Sequence, residues 1–256
     1  MTIEEIIEKA NKGDIECMIL LGDSISKNES IDTAKKFELA LPWYEKAAEA
    51  GNTNGAYKSM FIHGMYGFAK INIGIWDKAA DHFLKAFGYA KQVLSNPDLD
   101  VQVEYSSRQN QQVYCYQLAY CHYWMGNTKL AYNLSIKSPE AENYVKAKML
   151  GAICAFDIVA ETGADFSVAE SLLSIFDTYN LEPVFSTIKD SIEEVVLSRG
   201  YIYLSTLYRL KKDTTKAFNV LTSGKNAIHA DGARELLENE LIHYKPKLFG
   251  GYQYVE

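Results

Sequence analysis

The stretch Ala40-Leu-Pro-Trp43-Tyr44-Glu-Lys46-Ala47 returns 39 residues later as Ala79-Ala-Asp-His82-Phe83-Leu-Lys85-Ala86. Each copy sets a small residue, an aromatic pair and a second alanine at positions i, i+3/i+4 and i+7. That spacing draws one apolar stripe along a helix. Alanine at both ends lets a second helix approach closely, and the aromatic between them fills the space beside it. A second echo lies 86 residues apart. Leu118-Ala119 falls over Leu204-Ser205, His122 over Tyr208, Asn127-Thr128 over Asp213-Thr214, and Ala131-Tyr132-Asn133 over Ala217-Phe218-Asn219. Internal repetition of this kind points to stacked helix pairs rather than a single bundle.

Outward from these repeats the chain continues to read as helix. Thr2-x-x-Glu5 spells a capping box ahead of Ile3, Ile6, Ile7 and Ala10, and Gly13 ends that helix. Asp14 starts a second helix through Met18 and Leu21-Gly22. Pro42 predicts that the third helix either begins just before it or kinks there. A fourth helix is expected over 54–66, followed by a loop marked by Gly64, Gly67 and Gly74. A fifth is expected over Trp76–Leu94, ended by Asn96-Pro97, and a long one from about Val101 to Met125. Further helices are expected over 128–136, from Pro139 to Thr162, over 167–179, from Pro183 to about Leu210, over 215–228 and over 233–244. Only five prolines and weak strand signals fit an all-α chain. Short connections make consecutive helices antiparallel neighbours.

Composition bounds the function. Nearly half of the residues are apolar, enough for a sizeable core. The net charge of −7 argues against nucleic acid or an anionic membrane as the main partner. Lys245 with Lys247 and the run Arg209-Leu-Lys-Lys212 are short and read as solvated surface charge. No apolar run reaches the roughly 20 residues of a membrane span. The first residues, Met-Thr-Ile-Glu-Glu-Ile-Ile-Glu-Lys, lack the basic and apolar regions of a signal peptide. Four cysteines with no Cys-x-x-Cys pair are expected to be buried free thiols in a cytoplasmic protein.

No catalytic, metal or cofactor site is expected. The five histidines are scattered, and neither zinc spacing nor a phosphate loop is present. Cys115 and His122 share a helix face two turns apart, a spacing read as packing rather than as a nucleophile and its base. Glu193-Glu194 reads as an exposed pair. The unusual feature is tyrosine, eighteen in all and densest over 105–124. Arg108-Gln-Asn-Gln111-Gln112 precedes it and reads as a polar amide turn leading to an aromatic face. Amides bond a peptide backbone and tyrosine supplies rigid contact area. The expected groove residues are therefore Arg108, Gln111, Gln112 and Tyr116, with Tyr66 and Asn72 beyond them. The tail, Leu248-Phe249-Gly-Gly-Tyr252-x-Tyr254, is expected either to fold back over the end of the stack or to dock on a second copy as a homodimer.

Leu41-Pro-Trp43-Tyr44-Glu-Lys46-Ala47-Ala48-Glu-Ala-Gly51 resembles the second helix of a Sel1-like repeat, with Gly13, Cys17 and Leu21-Gly22 resembling a first helix. Tyr201-x-x-Leu204-Ser205-x-x-Tyr208 with Ala217 and Leu221 resembles a plain tetratricopeptide unit. The resemblance implies a right-handed α-solenoid of antiparallel helix pairs, Sel1-like over 1–96 and tetratricopeptide-like over 101–244. It would form one repeat domain over 1–244, followed by a tail over 245–256. It further implies a non-enzymatic scaffold or adaptor that binds a protein or peptide on a concave face lined by the first helix of each pair. The alternative is a sensor of a small ligand or signalling peptide, of the regulatory tetratricopeptide type.

Overall fold

The computed structural model describes residues 1–247 and 250–255. Among the described residues the fold is all-α apart from one short hairpin, and the chain divides into two compact units, Met1–Met125 and Gly126–Glu256. The sequence reading has a single repeat domain with a change of character near 96–101. The two units meet after Met125, where the long helix that follows residue 100 packs on the helix before it.

The first unit is a run of long helices: α1 (Ile3–Asn11), α2 (Ile15–Ser26), α3 (Thr33–Glu49), α4 (Thr53–Ile71), α5 (Trp76–Leu94) and α6 (Val101–Trp124). Each packs chiefly on its sequence neighbours. Their starts follow from side-chain capping. Thr2 and Glu5 close the expected capping box on α1, and Asp14, Asp32, Asn52 and Asp100 accept the free N–H groups of α2, α3, α4 and α6. The repeated stretch behaves as its pattern predicts. Ala40, Tyr44 and Ala47 of α3 and Ala79, Phe83 and Ala86 of α5 are all buried.

One expectation is narrowed here and another fails, for identifiable reasons. Pro42 does not open α3, which begins at Thr33 and runs through it. Pro42 and Glu38 are both exposed, so water can reach the carbonyl that proline leaves without a donor. Gly64 and Gly67 do not mark a loop either; both are buried inside α4. A Cβ on Gly64 would lie 2.4 Å from the Tyr114 hydroxyl, and one on Gly67 2.7 Å from the Phe83 ring. These glycines are sockets for aromatic rings of α6 and α5. Their helix-propensity cost, about 1 kcal/mol each, is offset by that packing.

The second unit is less regular. It comprises α7 (Thr128–Tyr132), a π-helical turn (Asn133–Lys137), a 3-10 turn (Pro139–Ala141), α8 (Val145–Thr162), α9 (Ser167–Leu173), α10 (Ile175–Thr178), α11 (Glu182–Phe185), α12 (Ser191–Leu210), α13 (Thr214–Ala227) and α14 (Asp231–Leu241). The helix expected from Pro183 to Leu210 is therefore two helices, and Asp190 caps the second. The helix expected over 233–244 begins two residues earlier, at Asp231, as α14. Helix α12 is the centre of the unit and packs on α8, α9, α13 and α14.

Glu193 and Glu194 are buried, not exposed: 8% and 3% of their surface remains. Glu193 pairs with Lys146 of α8 at 3.3 Å. Glu194 accepts the backbone N–H groups of His229 and Ala230, which lead into α14. Buried carboxylates of this kind persist because each has a partner.

The tail is ordered where it is described. Strands β1 (Tyr244–Pro246) and β2 (Tyr252–Tyr254) pair antiparallel, with Tyr244 opposite Tyr254. The hairpin lies on its own chain: Tyr252 stacks on Phe218 with ring centres 3.7 Å apart, Tyr244 bonds Ser205, and the Arg209 guanidinium sits 4.0 Å over Tyr254. Arg209 and Lys211, read as solvated charge, thus make internal contacts, Lys211 with Glu170. Leu248 and Phe249 lie outside the described residues.

Candidate functional site

Helix α4 carries two apolar faces. Ala56, Ser59, Met60, His63, Gly64 and Gly67 form the buried one. Tyr57, Phe61, Ile62 and Met65 form the other, flanked by the polar Asn54 and Lys58, with Ile62 buried against Leu41 and Tyr44. An amphipathic surface helix needs only one apolar stripe. The second is partly open: Tyr57 and Phe61 are half-buried and Met65 is 43% exposed.

This second face floors two adjoining cavities. One, of about 340 Å³, is lined by Ser26 of α2, by Phe37 and Tyr44 of α3, and by the whole stripe from Asn54 to Met65. The other, of about 260 Å³, lies over Thr53, Asn54 and Tyr57 and is bounded by Asp98, Leu99, Asp100 and Val103 at the start of α6. Asn54 and Tyr57 line both, so the two adjoin along α4 and are together called the trough. The Tyr57 and Phe61 rings meet edge to face at 4.9 Å, and the Tyr57 hydroxyl reaches Ser106 of α6.

The two ends differ in charge. At one, Lys58 pairs with Asp23 at 3.0 Å, and the Tyr44 hydroxyl donates to the same carboxylate at 2.7 Å. Burial alone would raise the Asp23 carboxyl, but the hydrogen bonds from Tyr44 and Lys58 outweigh it and hold the group below its ordinary value. Burial, with the Asp23 charge added, pushes the Tyr44 hydroxyl up. At the other end Asp98 is exposed, while Asp100 accepts the N–H groups of Gln102 and Val103.

The residues expected from the sequence lie elsewhere. Arg108, Gln111 and Gln112 sit in the middle of α6, so the amide run is helix and not a turn. Arg108 is exposed and tied to Glu104 one helical turn away, at 2.8 Å. Gln111 and Gln112 are half-buried. Tyr116 is fully buried and packs against Tyr120, so it offers no surface to a partner. Tyr66 packs under His82 and on the Leu41–Ile62 cluster, and Asn72 is the exposed C-cap of α4. None of the six lines the trough. The dense tyrosines of α6 are mainly packing: Tyr114, Tyr116 and Tyr120 are buried, and Trp124 stacks on Trp76.

A buried polar network on the other side of α4 has no counterpart in the sequence reading. His63, 2% exposed, places Nε2 2.9 Å from Glu45 of α3 and Nδ1 3.0 Å from Nδ1 of His82 of α5. Tyr89 donates to the same Glu45 oxygen. The His63 contact, with neighbouring Lys85, holds the Glu45 carboxyl below its usual value against burial. Burial and the adjacent His63 hold His82 below its usual value. Of the thiols, burial pushes Cys121 up to about 12, and burial lowers His122, so that neighbouring pair favours the neutral thiol and imidazole.

No family model matches the sequence, and no curated protein matches it. Among solved structures the chain is similar to YrrB, described as a TPR protein with an unusual peptide-binding site. The identity is 15%, with 93% of this chain and 98% of that chain covered, at a TM-score of 0.47. That likeness assigns no role to any residue of this chain.

Proposed function

We propose that the chain is a non-enzymatic scaffold that binds a peptide segment of a protein partner along α4, within a helical-repeat fold of the tetratricopeptide-like kind its sequence resembles. The observation that carries this reading is the second apolar face of α4, left open as a trough that no described segment fills. From Asn54 to Met65 the face is about 16 Å long at 1.5 Å per residue. An extended segment of about five residues spans that length at roughly 3.3 Å each. Tyr57, Phe61 and Met65 would take apolar side chains of the segment, and Asp98 would favour a basic residue at one end. Aromatic residues and methionine in half-open pockets are common anchors of such interfaces.

A phage-displayed peptide library selected on the whole protein tests this. Enriched peptides are expected to be apolar with a basic residue, and to lose at least about thirtyfold in affinity with Tyr57→Ala or Met65→Glu. Arg108→Ala and Gln111→Ala, on the surface first suggested by the sequence, should leave binding unchanged. Loss with the Arg108 and Gln111 variants instead would move the site to α6. A library that yields no specific peptide would defeat the reading.

A further inference from the structure

A third cavity, of about 310 Å³, lies wholly within the second unit, between the π-helical turn 133–137, α8, α9 and α10. π-Helical turns are rare in helices and recur at functional sites. This one presses on α8 at Gly151, where a Cβ would stand 2.4 Å from Ile136 and 3.1 Å from the Ser135 Cβ. The turn thereby buries Ser135 to 1% exposure at the cavity wall, and its Oγ has no hydrogen-bond partner. A hydroxyl that deeply buried normally finds a partner. Alanine would fill the same place without that cost.

The rest of the lining says what partner would suit it. Ile136, Leu172 and Ile175 supply an apolar floor. Lys148 and Glu142 stand at the rim, both exposed, and neither makes an ion pair among the described residues. One free cation, one free anion, one unspent buried hydroxyl and an apolar floor are complementary to a small zwitterion with an apolar side chain. The volume is at the lower end of that of small-molecule sites, about 300–1,000 Å³.

We propose that this cavity binds a free apolar amino acid or a dipeptide. The ligand carboxylate meets Lys148 and the Ser135 hydroxyl, its ammonium meets Glu142, and its side chain rests on Ile136, Leu172 and Ile175. This site is independent of the α4 trough and shares no residue with it.

The test is a thermal-shift screen of the intact protein against the natural L-amino acids and glycyl-leucine, followed by calorimetry on those that shift it. At least one apolar amino acid or the dipeptide should bind saturably, one per chain. Lys148→Met and Ser135→Ala should each weaken it by at least about tenfold. The ligand-free Ser135→Ala protein should melt no lower than wild type, because it loses an unpaired buried hydroxyl; this separates lost binding from lost folding. The amide and desamino analogues of the ligand should bind more weakly than the parent. The proposal is overturned if no compound in the screen shifts the protein, if both variants bind as wild type does, or if the desamino analogue binds as well as the parent. Tyr57→Ala should bind the same ligand unchanged, which keeps this outcome separate from that of the peptide selection.

Discussion

The two units use one packing device on different scaffolds. In the first, buried aromatics sit on long helices and face glycine sockets on the neighbouring helix, as Phe83 of α5 does against Gly67 of α4. The second has one such pair, Tyr201 of α12 against Gly224 of α13, but there a buried aromatic at the same kind of socket also sits on a four-residue helix, as Phe176 of α10 does against Gly200 of α12. A long helix fixes its ring through many turns of packing, whereas α10 is a single turn that continues the short α9 through Ser174. Regular helix pairs therefore give the first unit a rigid frame with an open face, and broken elements give the second a pocket.

The sharpest way to break this comparison is to fill both sockets. A Cβ at Gly200 overlaps more deeply, 2.0 Å from the Phe176 ring against 2.7 Å at Gly67. If rigidity of the opposing element decides, Gly67→Ala should still cost more, about 2–3 kcal/mol against about 1 for Gly200→Ala, within the range for overpacked cores. Urea unfolding measures both as shifts in midpoint. A larger loss at Gly200 would show that the short helices are held as firmly as the long ones.

A second prediction uses the 86-residue echo. Gly126 ends α6 with φ +76°, and its counterpart after α12 is Lys212 with φ +64°, the one non-glycine residue at positive φ among the described residues. The left-handed conformation costs a side-chain-bearing residue about 1–2 kcal/mol. Glycine gives back part of that through its freer unfolded chain. Lys212→Gly should therefore stabilise the protein by about 0.5–1 kcal/mol, read as a raised urea midpoint. An unchanged or lowered midpoint would mean that the lysine side chain contributes something the geometry does not show.

The smallest effect concerns pH and belongs to the first unit. His82 has a folded value below its ordinary 6.5, so below about pH 6.5 the unfolded chain takes up a proton before the folded one does. Stability should fall as pH drops from there, and Glu45, also lowered, should add a further loss below about pH 4.5. His82→Gln should flatten the upper part of that decline in chemical unfolding measured between pH 7 and 5. An identical slope would remove His82 as its source.

Much of the fold was legible because capping and periodicity are local. The α5 ends fall at Trp76 and Leu94 as its pattern predicts, and Asp14 and Asp213 cap the helices expected of them. What escaped depended on neighbours distant in sequence. A helical glycine facing a ring has the same composition as a loop glycine, so Gly64 and Gly67 cut α4 short on paper. The stripe from Asn54 to Met65 lies within the helix expected over 54–66, but which of its residues stay open is decided only by how the neighbouring helices pack. The tyrosine-rich α6 drew the site instead, although Tyr116 is core. His63, Glu45 and His82 likewise converge only when three helices pack. Ser135 could not be told from an ordinary helical serine without the π-helical turn that buries it.

All four cysteines are free and buried, three in the first unit and Cys154 in the second. In the native protein they should be nearly silent to a thiol reagent, so labelling would proceed only as fast as the structure opens around each one. The protein thus contains its own set of clocks. Reaction at Cys17 would time the opening of α1–α3, reaction at Cys115 and Cys121 that of α6, and reaction at Cys154 that of α8. A fluorescent thiol reagent and mass mapping would then rank the lifetimes of these regions in a single unmodified sample.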